Sequence, residues 1–376
     1  MSSSDPVAAG RRFVIVTLAT TALMLGGIIA ATALTDPTGL LAAGGWSGGI
    51  CAPGIKSMDD RTLKPVMAAV HRPDQIILGS SRVVRGFDAR GLRPEDGVVL
   101  NLGMTGATMT DIDALARGAV EEAPIRRIWI GLDFGAVALG ETSLIDRSRP
   151  EPSVGSRSAS LRHGLLSPEA LKATLGLARH PAACATPPFD ARAFVNPLAG
   201  DLTRPGAVLP DGPMRARLLR SWRLAPARRG AVYAARMAEL DRLLLYLHDH
   251  GIDVVLYRSP SHPAYDALVA EAGLAPLHRR WQADTDRLAA RFSLVLIAAD
   301  APDFLSELEV PGCSGVRTDC AFDDAVHFRP EVGAAILRAG RVAQPARISA
   351  PPRVAGSHPA TPLSGRATSG DPTSLD

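Results

Sequence analysis

Five short apolar runs punctuate this chain, and between them lie segments whose apolar residues recur every three or four positions. The runs are Gln75–Leu78, Val98–Leu102, Ile125–Leu132, Asp253–Tyr257 and Leu294–Ala298. Asp111 to about Glu122 places Ile112, Leu115, Ala116 and Ala119 on one helical face, with Thr110 as the expected cap. Residues 231–250 do the same with Met237, Leu240, Leu244 and Leu247, and Gly251 stops them. Further helices are expected over about 266–291 and over Glu331–Arg341, and a short one over Pro168–Arg179. Nearly unbroken apolar strands alternating with amphipathic helices predict an α/β fold whose parallel sheet is covered on both faces. Active residues in such sheets sit at the carboxyl ends of the strands. Trp129 and Trp281 read as core residues.

The N-terminus imposes a second constraint. Phe13 to Leu34 carries no charge and follows Arg11 and Arg12. As a helix this stretch is about 33 Å long, enough to cross a bilayer core of about 30 Å. The arginines favour a cytoplasmic N-terminus, so the rest of the chain is exported. Ala31-Thr32-Ala33 also fits the small-x-small pattern of a cleaved signal peptide, but the apolar stretch exceeds the usual h-region of about 7–15 residues. The expected organisation is a cytoplasmic segment 1–12, an anchor 13–34, a tether and entry segment 35–69, an α/β domain 70–342 and a Pro/Ser/Ala/Thr-rich disordered tail 343–376. Residues 146–230 interrupt the strand–helix rhythm and read as an insertion over one sheet edge, lid-like. The location that follows is a bacterial inner membrane, single-pass, with the main domain in the periplasm.

The four cysteines suit an oxidising compartment. Cys313 and Cys320 are close enough in sequence to pair; Cys51 and Cys184 would complete the set, or remain free buried thiols. There is no CxxC and no Cys/His cluster, so no metal is expected. The net charge of +3, with 5% aromatics and no basic block, argues against nucleic acid. "GSSRVVRG" lacks the lysine of a phosphate loop and no GxGxxG is present, so no cofactor is expected.

Four strand ends or loops converge on one rim in this reading. They carry Gly79-Ser80-Ser81, "NLGMTGAT" from Asn101 to Thr108, Gly131-Leu132-Asp133, and "DAVH" from Asp324 to His327. This ordered set resembles the SGNH, or GDSL-like, hydrolase superfamily over about residues 70–340, excluding the insertion. The resemblance implies a three-layer αβα sandwich with a mainly five-stranded, flavodoxin-like parallel sheet. It implies Ser81 as nucleophile, His327 as its base and Asp324 as the residue that orients the base. It implies an oxyanion hole from the amides of Ser81 and Gly106 and from residue 133. There the superfamily carries Asn, whereas this chain has Asp133, which when ionised can only accept hydrogen bonds; it could instead be protonated in a buried site, bind a hydroxyl of the substrate or cap a helix. Ser80 replaces the usual Asp before the nucleophile. The implied activity is a serine esterase or acyltransferase acting on acyl groups, such as O-acetyl groups of cell-surface polysaccharide, with envelope polysaccharide-assembly proteins as partners.

Blander roles stand beside these. Ser81 could cap a helix, and His327 could be a surface residue at the helix start marked by Pro330 and Glu331. Arg82, Asn101 and His262 are candidate substrate contacts; Arg82 could instead form a salt bridge, and His262 could pack in its Pro-containing turn. Asp133 also leaves open an inactive SGNH-like envelope scaffold or polysaccharide-binding accessory protein.

Overall fold

A computed structural model describes residues 6–39, 49–51, 54–55, 60–138, 165–196, 226–308 and 320–343, with isolated positions between them. The described elements belong to the unit Met1–Pro345; the tail from Ala346 onward lies outside the described residues. The helices used below are α1 (Pro6–Thr35), α2 (Asp60–His71), α3 (Ser81–Gly86), α4 (Met109–Glu122), α5 (Phe134–Ala138), α6 (Pro168–Arg179), α7 (Ala182–Ala185), α8 (Pro226–Asp249), α9 (Pro263–Glu271), α10 (Ala275–Arg291), α11 (Pro302–Ser306) and α12 (Pro330–Ala343).

The strands are β1 (Gln75–Leu78), β2 (Val99–Asn101), β3 (Arg127–Leu132), β4 (Asp253–Arg258) and β5 (Val295–Ile297). They form one sheet in the order β2-β1-β3-β4-β5, and every neighbouring pair is parallel. The order reverses between β1 and β3, so a crevice at the carboxyl ends of those two strands is the natural ligand site of such a sheet. Successive side chains alternate faces. Ile76, Leu78, Ile128, Ile130, Val254 and Leu256 enter one apolar cluster with residues of α2, α4 and α8. Ile77, Trp129, Val255 and Tyr257 enter a second cluster with Val332, Ile336 and Leu337 of α12. Both faces of the sheet are therefore apolar, as the unbroken strand runs required.

Three helix boundaries differ from the predicted ones. α8 begins at Pro226, five residues before the expected start at 231. The cap of α4 is Thr108, which forms a reciprocal capping box with Asp111. Thr110 lies in the first turn and donates instead to Glu239 of α8, at 3.0 Å. The single helix expected over about 266–291 is two, α9 and α10, separated by Gly273 at φ +70°. A left-handed glycine ends the first helix, and Pro276 in the first turn of the next fits a fresh start.

Helix α1 includes Gly10–Thr35, long and apolar enough to cross a membrane. The segment predicted as a tether is pinned: Ile50 N–H donates to Leu34 O, Cys51 is disulfide-bonded to Cys184, and Ile55 pairs with Phe189. Cys320 is also disulfide-bonded; its predicted partner Cys313 lies outside the described residues. The predicted insertion is described over 165–196 and from 226 onward, with isolated positions between. Its Arg192 carbonyl accepts from Asn101 N–H at 3.1 Å, so it covers the free edge of β2.

Candidate active site

β1 ends at Leu78, and Gly79 follows at φ +155°, where a side chain would collide with Val83. Only glycine fits this bend. Ser80 caps α3, its Oγ accepting from Arg82 N–H at 3.3 Å. That leaves Ser81 as the first residue of the helix, with its hydroxyl free for another partner.

The partner is His327. Its Nε2 lies 2.8 Å from Ser81 Oγ, and its Nδ1 lies 2.7 Å from Asp324 Oδ2. The other oxygen of Asp324 accepts from the backbone N–H groups of Val326 and His327, at 2.8 and 2.9 Å. The "DAVH" turn thus fixes its own carboxylate. With Nδ1–H donated to that carboxylate, Nε2 is the ring nitrogen able to accept the Ser81 proton. Burial alone would raise Asp324, but the hydrogen bond and charge of His327 and the two amides overrule it and hold the group at about 2. The three side chains remain partly open to solvent, within reach of a substrate.

Two glycines let these elements meet. A side chain at Gly86 would collide with the Phe328 ring, and one at Gly333 would collide with the Gly86 carbonyl oxygen. α12 therefore approaches the end of α3 closely. Phe328, fully buried, packs edge-on against Phe87 at 5.8 Å between ring centres and anchors the chain just after His327.

Gly106 sits on the β2–α4 loop in a left-handed turn at φ +65°. That loop is tied to the nucleophile turn by Met104 N–H donating to Gly79 O, at 2.9 Å. It is also braced from α2: Asp60 accepts from Thr105 N–H at 2.7 Å, and the buried Lys64 ammonium donates to Asn101 O at 2.6 Å.

Asp133 follows β3, the sheet neighbour of β1. It is 5% exposed, and neither carboxylate oxygen has a hydrogen-bond partner among the described residues. Its countercharge is Arg82, whose Nε is 3.7 Å away. Helix capping by the Asp133 side chain is thereby ruled out, since a cap must accept a backbone N–H.

Three predicted substrate contacts turn inward instead. Arg82 is 6% exposed; besides Asp133 it holds the carbonyls of Ser259 and Pro260 and lies over the Tyr265 ring. Asn101 is fully buried, donating to Val83 O and accepting from Gly103 N–H, because it staples the β2 end to α3. His262 is buried as the cap of α9, its Nδ1 accepting from Ala264 N–H, with its ring edge-on to Phe322. Each has a backbone partner that exposure to substrate would sacrifice.

Sequence reasoning missed two groups beside the triad. Arg85, four residues after Ser81 on α3, places a partly exposed guanidinium 4.0 Å from Asp324. Its helical spacing from Ser81 was the available signal. Asp323 lies next to the triad and is pushed up to about 6, chiefly by burial, against the lowering effects of Arg329 and Arg85. Among the described residues no group of three His, Cys, Asp or Glu side chains is arranged to hold a metal ion. Comparisons of the chain with protein-family models, curated proteins and solved structures found no match.

Proposed function

We propose that this chain is a membrane-anchored serine esterase or acyltransferase of SGNH type, working outside the cytoplasm. The observation that carries the reading is the unbroken hydrogen-bonded line from Asp324 through His327 to Ser81. Ser81 Oγ attacks the acyl carbonyl while its proton passes to His327 Nε2. Asp324 stabilises the imidazolium that forms. Collapse of the tetrahedral intermediate expels the alcohol, which takes the proton from His327 and leaves an acyl-Ser81. Water then releases the acid, or a sugar hydroxyl accepts the acyl group, with His327 again as base. The amides of Ser81 and Gly106 are the donors assigned to the oxyanion.

The apolar clusters on the two faces of the sheet and the order β2-β1-β3-β4-β5 support a three-layer, flavodoxin-like SGNH architecture. Arg11 and Arg12 before the apolar helix support a cytoplasmic N-terminus. The Cys51–Cys184 disulfide supports a periplasmic head on the bacterial inner membrane. Acyl groups on envelope carbohydrate, and the proteins that assemble it, are the substrate and partner class consistent with that location.

Asp133 favours a second reading. A buried carboxylate in the position where the superfamily has an oxyanion-donating Asn suits an inactive scaffold or polysaccharide-binding accessory protein. Labelling the full-length protein in detergent with a fluorophosphonate separates the two. Labelling that disappears in Ser81→Ala supports the enzyme. A folded wild-type protein that neither labels nor cleaves activated esters overturns it in favour of the scaffold.

A further inference from the structure

We propose that α6 is a membrane-interface helix, lying in the phospholipid headgroup layer beside the outer end of α1 and clamping the head to the bilayer surface. The inference rests on α1 being a membrane span and is independent of the serine chemistry. Counting about 20 residues from Phe13, the hydrocarbon core ends near Thr32 and Ala33. That is the depth at which α6 meets α1. Thr174 Oγ1 lies 3.3 Å from Thr35 Oγ1 and 3.4 Å from Thr32 Oγ1. Thr32 is 1% exposed, whereas Phe13, Leu18 and Leu23 lower on the same helix are 65–78% exposed.

The joint is locked covalently. Cys51, just beyond α1, is bonded to Cys184 in α7, which follows α6 after a short turn. Ile50, held to Leu34 by its backbone hydrogen bond, is 74% exposed. It extends the apolar surface of the span onto the head.

The outward face of α6 has the chemistry of this layer. Ala170, Thr174 and Leu177 are buried, which leaves Lys172, Leu175 and Arg179, spaced three and four residues apart, on the opposite side. Leu175 is 51% exposed and Leu166, just before the helix, 44%. A leucine between two long basic side chains suits the boundary where acyl chains meet phosphates. The leucine enters the apolar edge, and the lysine and arginine extend their methylene stems along it to reach lipid phosphates. In water alone, these exposed leucines gain nothing.

The test uses full-length protein reconstituted in phosphatidylethanolamine/phosphatidylglycerol vesicles, with tryptophan emission read against wild type. Leu175→Trp is expected to add emission that is lost with lipids brominated near the headgroup and less affected by lipids brominated near the chain ends. Leu23→Trp is expected to show the reverse preference. If Leu23→Trp is quenched by the deep label while Leu175→Trp is quenched by neither, the interface proposal is overturned and the anchor stands. If neither is quenched, the anchor reading falls and the proposal with it.

Discussion

His327 Nε2 and Ser81 Oγ stand 2.8 Å apart although 246 positions separate them in sequence. This pairing depends on the ring being held in one tautomer by Asp324, which makes the carboxylate the most informative atom group to alter. In Asp324→Asn the side-chain oxygen still accepts from Val326 and His327 N–H, so the turn is retained. The amide nitrogen, however, faces Nδ1 with a donor and favours the tautomer whose Nε2 carries the proton. A fall in kcat of about 10⁴-fold on an activated ester is expected, with an unchanged circular dichroism spectrum. Retention of near wild-type turnover would remove Asp324 from the relay.

The buried pair Arg82–Asp133 is expected to be costly to break from one side. Asp133→Asn leaves the Arg82 guanidinium without its countercharge, and a destabilisation of about 3–5 kcal/mol is the usual consequence. Urea denaturation followed by tryptophan emission measures it. The double variant Arg82→Met with Asp133→Leu removes both charges but leaves the Ser259 and Pro260 carbonyls without their donor, so only part of the loss is expected to return.

Gly333→Ala tests the approach of α12 to α3. In an unhindered helix interior this change stabilises by about 1 kcal/mol. Here the added methyl would meet the Gly86 carbonyl and the Phe87 ring, neither of which can rotate away. The opposite sign is expected, a loss of about 1–3 kcal/mol by overpacking. Fluorophosphonate labelling of Ser81 should slow in step, because His327 is carried away from it. A gain in stability would show that the two helices have room to spare.

Lys64 predicts a pH dependence. Burial lowers its ammonium to about 8, despite the opposing charges of Asp60 and Asp190. Between about pH 8 and 10.5 the unfolded chain holds this proton and the folded chain does not. Unfolding free energy from this group therefore rises with pH across that window, by on the order of 3 kcal/mol. The difference in stability between wild type and Lys64→Met, measured by urea titration at pH 7.5 and 9.5, should shift in favour of wild type at the higher pH. A constant difference would count against the buried charge.

Local periodicity made much of this molecule legible. Alternating apolar runs and three-to-four spacing depend only on neighbours along the chain, so all five strands and the main helices could be read from residues alone. The uncharged stretch from Phe13 marked α1 for the same reason, and glycine and proline marked breaks, although Gly273 was read through. The order of short motifs singled out Ser81, Asp324 and His327.

What the sequence could not determine was direction and distance. Arg82, Asn101 and His262 have polar side chains that suit a rim facing solvent, yet each turns inward: carbonyls and a carboxylate from other segments hold Arg82 and Asn101, while His262 caps its own helix and packs edge-on against the distant Phe322. Thr108 and Thr110 are equally good caps by type; the Thr108-x-x-Asp111 spacing of a capping box was a local signal for the first, whereas the contact that occupies Thr110, with Glu239 of α8, exists only in the folded chain. The strand order, the contact of α6 with α1 and the meeting of Ser81 with His327 likewise belong to the tertiary structure. Residue type sets which interactions are available, but only close packing of segments far apart in the chain selects which of them form.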